Sequence, residues 1–117
     1  MDRVQFLRGI ELFNHAEFYD AHEVLEDVWR PLGGEQRIFL QGLIQVAVAL
    51  HHHSTGNVVG ARSLLRRAAK NLSSCPEVYC ALELPEFRVS LETWQVALDK
   101  GQPTPPVPKL RMAPERS

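Results

Sequence analysis

A chain of 117 residues can bury one sizeable core and leaves no room for a second domain of ordinary length. Its 44% hydrophobic and 23% charged content is that of a folded globular protein and excludes wholesale disorder. Thirteen Lys and Arg against fourteen Asp and Glu leave a formal charge of -1, so no global field recruits nucleic acid or an anionic membrane.

The first expected element is a helix over residues 3–14, with Phe6, Leu7, Ile10 and Phe13 on one stripe and Asp2 placed to cap it. A second helix follows in EFYDAHEVLEDVWR, where Phe18, Ala21, Leu25, Val28 and Trp29 form the apolar stripe. Pro31 and the pair Gly33-Gly34 end it. Residues 35–53 are apolar around most of their circumference, which places a third helix in the middle of a bundle. Its most apolar run, Ile38 to Leu50, contains Gln41 and Gln45 and falls short of the roughly twenty residues that span a bilayer.

Gly56-Asn57 makes a turn with Asn57 as cap, and Val58, Ala61, Leu65, Ala68 and Leu72 mark a fourth helix. Ser73 to Leu84 has no clear period. Pro85 then suits a helix start, with Phe87, Leu91, Trp94 and Leu98 as the stripe of a last helix. The expected fold class is therefore all-α, a compact bundle of four to five helices over residues 1–100. A weak echo at an offset of forty, between FYDAHEVLE and VVGARSLLR, has the look of a tetratricopeptide helix hairpin. From 101 to 117 the prolines 103, 105, 106, 108 and 114 forbid a regular helix, and an extended tail, draped over the bundle or disordered, is expected.

Cys75 and Cys80 match neither a CxxC pair nor a disulfide framework and read as free thiols of a reducing compartment. The N-terminus lacks the basic region, apolar run and cleavage site of a secretory signal, so a cytoplasmic location is expected.

Chemistry concentrates in FYDAHEVLEDVW. His22 lies at the edge of the apolar stripe, and Glu26, one turn on, extends that edge with Tyr19 beneath it. Gln41 and Gln45 are the polar residues inside the apolar run of the third helix, on a stripe that His52 continues. A short loop near Gly33-Gly34 makes the two helices antiparallel, which sets Glu26 opposite Gln41 and His22 opposite Gln45. Gly42 would let the two helices approach closely.

Two readings of this set stand side by side. In one, His22, Glu26, Gln41 and Gln45 form a pocket between helices, walled by Tyr19 and Trp29, for an unidentified small polar ligand or ion. In the other they are an internal hydrogen-bonded network, and the protein is an interaction module that meets a protein partner through its surface. The ridge of Arg62, Arg66, Arg67 and Lys70 is a candidate for that surface, though a solvated face explains it as well. Self-association through apolar surface on the outer helices is a third arrangement.

HEVLE has the outline of the metalloprotease HExxH, but Glu26 stands where the second histidine belongs, so that mechanism does not carry over. A His–carboxylate pair at i, i+4 can hold a transition metal, yet no second helix of that kind appears. The consecutive side chains of His51-His52-His53 fan out by about 100° each and do not converge on one ion. No phosphate loop, nucleophile elbow or Cys/His pairing identifies a reaction, a catalytic residue or a cofactor.

The runs FYDAHEVLEDVW, FLQGLIQVAVALHH and GNVVGARSLL together resemble the domain-of-unknown-function family numbered 309, over about residues 5 to 72. The resemblance implies a compact helical bundle from a prokaryote, with His22, Glu23, Glu26, Trp29, Gln41, Gly42, Gln45, Asn57, Gly60 and Ala61 as motif residues gathered near one another. It implies no activity.

Overall fold

The computed structural model describes residues 1–114. Its first helix, α1 (Arg3–Asn14), starts where Asp2 accepts the Gln5 amide at 3.1 Å, supplying an acceptor that the first turn otherwise lacks. Ala16, held at φ 61°, reverses the chain into α2 (Phe18–Trp29). Arg37 closes α2 by donating to the carbonyls of Trp29, Arg30 and Leu32, while its guanidinium lies 3.7 Å above the Trp29 ring.

The central element is α3 (Gly34–Ser54), in which Phe39, Leu40, Leu43, Val46, Ala47 and Ala49 are wholly buried. It packs against α2 on one side and α4 (Val58–Leu72) on the other. Asn57 caps α4 by accepting the Gly60 amide at 2.9 Å. The last helix, α5 (Pro85–Lys100), opens on its proline and ends at Gly101 in the left-handed conformation, with Gln102 N–H donating to the Ala97 carbonyl. Phe13 joins α1 to α2 and α5 through edge-on contacts with Phe18 at 5.3 Å and Phe87 at 5.9 Å. Among the described residues the fold is an all-α bundle of five helices, as expected.

Two features lie outside that expectation. Between α4 and α5, β1 (Val78–Tyr79) and β2 (Leu82–Glu83) form a small hairpin whose turn residues, Cys80 and Ala81, both have positive φ, 50° and 64°. A third strand, β3 (Arg111–Met112), pairs antiparallel with β2, Leu82 facing Met112 and Glu83 facing Arg111. The strand comes from the proline-rich segment, of which residues 101–114 lie over the bundle. The Asn14 side chain holds both backbone groups of Leu110 at 2.8 Å, Trp94 donates to the Pro106 carbonyl at 3.0 Å, and the Leu110 side chain is buried. Residues 115–117 lie outside the described part. No helix of the described residues is long and apolar enough to cross a membrane.

The candidate site on the α2/α3 face

Helical periodicity puts Tyr19, His22, Glu23, Glu26 and Trp29 on one arc of α2, beside its buried stripe of Phe18, Ala21, Leu25 and Val28. Tyr19 and Glu23 are exposed, while His22, Glu26 and Trp29 are half-buried. His22 Nδ1 lies 2.8 Å from the Tyr19 carbonyl oxygen, and its Nε2 lies 3.6 Å from Glu26 Oε1. Glu26 is also 3.9 Å from Arg30, which itself pairs with Asp27. The Tyr19 ring sits between two imidazoles, with centroids 5.1 Å from His22 and 5.3 Å from His51.

Three expectations about α3 need correction. Gln45 is not engaged with His22: its Oε1 accepts from Asn71 Nδ2 of α4 at 2.8 Å. Gly42 opens toward α4 as well, where a Cβ at that position would come within 2.8 Å of Leu72. The residue that reaches α2 is His51, whereas His52 turns to Asn57 at 3.3 Å and His53 packs edge-on against Trp94 at 5.0 Å. The antiparallel pairing of α2 and α3 gives the height of each residue along the seam but not the rotation of α3 about its own axis. That rotation hands Gly42 and Gln45 to α4 and leaves Gln41 exposed.

Trp29 stands roughly 10 Å along α2 from His22 at 1.5 Å per residue. Its ring is covered by Arg37, and its indole Nε1 is buried without a hydrogen-bond partner. It forms the end of the face, not a wall beside His22.

Of this cluster, Gln45 serves as an internal tie between α3 and α4, while His22 and Glu26 are half-buried and no polar or charged residue among those described is fully buried. The basic ridge is also partly spoken for. Arg62 and Arg66 of α4 both reach Asp99 of α5, at 3.0 and 3.3 Å, so two of its four cations tie helices together. Cys75 and Cys80 are free, and burial pushes both thiols above their ordinary range. Among the described residues no group of three His, Cys, Asp or Glu is arranged to hold a metal ion.

The family profile described as a domain of unknown function, DUF309, matches residues 6–64, which takes in most of α1, all of α2 and α3 and the first half of α4. An uncharacterized protein of Aquifex aeolicus (strain VF5) is 33% identical over 92 residues, 78% of this chain and 28% of that protein. The uncharacterized protein YpuF of Bacillus subtilis (strain 168) is 33% identical over 67 residues, 56% of this chain and 38% of that protein. The chain thus spans well under half the length of the curated relatives it matches.

Proposed function

This chain belongs to the DUF309 family, and from that premise, which carries no assigned chemistry, we propose that its α2/α3 face binds a small ligand that brings a cation or a hydrogen-bond donor to His22 and Glu26. One observation carries the reading. A carbonyl oxygen only accepts, so the 2.8 Å contact with Tyr19 puts the hydrogen of a neutral His22 ring on Nδ1. Nε2 then offers a lone pair, 3.6 Å from a carboxylate oxygen that is also an acceptor. Two acceptors at that separation call for something positive between or beside them: a proton, a metal ion, or a ligand N–H or O–H. Backbone anchoring of one imidazole nitrogen also orients the other for a ligand, as in metal-binding histidines.

Tyr19 and His51 supply an aromatic border to the same spot. Glu23 and Gln41 are both exposed and belong to this proposal as further ligand contacts. A cytoplasmic location belongs to this proposal, and the two unpaired thiols suit a reducing compartment.

The test is elemental analysis of the untagged protein with thermal melts of the native chain and His22→Ala, each with and without zinc chloride. Zinc is expected to raise the melting temperature of the native protein and not of the variant. Without zinc, His22→Ala should cost less than about 1 kcal/mol, because the pair it breaks is partly exposed. A variant that melts far lower in the absence of zinc would make the pair structural and overturn the proposal.

A further inference from the structure

The motif residues Gly42 and Gln45 turn away from α2 toward Asn71 of α4, and Asn71 in turn lines a cavity of about 420 Å³ at the far end of α4. Its walls are Glu35 and Ile38 from α3, Asn71 from α4, and Ser74, Cys75, Pro76 and Tyr79 from the segment entering the hairpin. The volume falls in the range of small-molecule sites, roughly 300–1,000 Å³. Gly42 lets α4 approach so closely that an added Cβ would lie 3.4 Å from that of Asn71. Gln45 then fixes the Asn71 amide through Nδ2, so Asn71 Oδ1 is the atom left to meet a ligand.

Charge decides the ligand class. Among the described residues, Glu35 is the one formally charged residue in this wall. Burial pushes the Cys75 thiol and the Tyr79 phenol above their ordinary ranges, so both are neutral near pH 7 and add no second charge. Asn71, Ser74 and Tyr79 supply oxygen acceptors. Arg88 does not line the cavity and donates to the carbonyls of Leu72, Cys75 and Pro76. The Tyr79 ring is held edge-on by Phe39 at 4.9 Å, which fixes the orientation of an aromatic face. Ile38, 49% exposed, and Pro76 give the cavity an apolar side.

We propose that this cavity is a second binding site, separate from the α2/α3 face, for a free aliphatic ammonium compound: the cation meets Glu35 and the Asn71 carbonyl, and the alkyl chain lies along Ile38 and Pro76. The site needs no covalent step. Cys75 in its wall reports occupancy and takes no part in binding the ligand.

The experiment uses the Cys80→Ser chain, in which Cys75 is the sole thiol. Its modification by 5,5′-dithiobis(2-nitrobenzoate) is timed with n-butylammonium or n-butyrate at matched ionic strength and pH. The proposal expects n-butylammonium to slow the reaction at least fivefold, n-butyrate to leave it unchanged, and Glu35→Gln to abolish the protection without altering the melting profile. Protection should survive His22→Ala, which separates this site from the α2/α3 face. Equal effects of the two probes, no effect of either, protection retained in Glu35→Gln, or protection lost in His22→Ala would each overturn it.

Discussion

Gly42 shows how much one residue decides here. Without a side chain it lets α3 and α4 meet where a Cβ would lie 2.8 Å from the Leu72 side chain and 3.4 Å from the Asn71 Cβ. Gly42→Ala is therefore expected to destabilise the protein by about 1–3 kcal/mol through overpacking, measured by urea unfolding. It should also loosen the Gln45–Asn71 hydrogen bond. An unchanged midpoint would mean that Leu72 moves aside at no cost. The need for a close approach at Gly42 is legible in the sequence, but its partner is not. An apolar helix wheel with buried positions nearly all round contains no mark that distinguishes the side facing α2 from the side facing α4. For the same reason the place of His22 and Glu26 on one flank of α2 could be read from spacing alone, whereas the arrival of His51 beside Tyr19 could not.

At the scale of elements, α1, α4 and α5 were legible from their own boundary chemistry, Asp2, Asn57 and Pro85 at starts and Gly101 at an end, and α2 and α3, which have no side-chain cap, from their apolar pattern. The hairpin was not. Its strands are two residues long, and Cys80-Ala81 occupies a turn with positive φ at both positions, where Asn-Gly is the usual signal. The α4–α5 junction adds a titratable link. Hydrogen bonds from Arg62 and then Gln95 hold the Asp99 carboxyl below its ordinary value of 3.8. A carboxyl with a depressed folded-state value stabilises the fold above the ordinary value and loses that contribution as the pH falls through the folded-state one. Asp99→Asn should therefore melt below the native protein at neutral pH, and the gap should close in acid below 3.8. A gap independent of pH would show that Asp99 acts by packing and not through its charge.

Across the whole molecule, the proline-rich segment is part of the packing. The radius of gyration is 13.5 Å, close to the roughly 13 Å of a compact chain of about 100 residues, although 101–114 has no helix. Composition told only that this segment avoids helix. The contacts that pin it, Asn14 to Leu110 and Trp94 to Pro106, join residues far apart in sequence and leave no periodic trace. Leu110→Ala is expected to cost about 2–4 kcal/mol in denaturant unfolding, the loss of a fully buried leucine. A cost near zero would mean that the bundle holds without its tail.

The account rests most heavily on the pairing of His22 Nε2 with Glu26 as a place for a cation or donor. Side-chain ¹H–¹⁵N spectra of the histidines, recorded while zinc chloride and, separately, methylammonium chloride are added, test it most directly. The account predicts an Nδ1–H tautomer at His22 in the free protein, a shift of its Nε2 resonance with at least one of the two probes, and loss of that shift in Glu26→Gln. An Nε2–H tautomer, silence at His22 with both probes, or a shift that survives Glu26→Gln would contradict it.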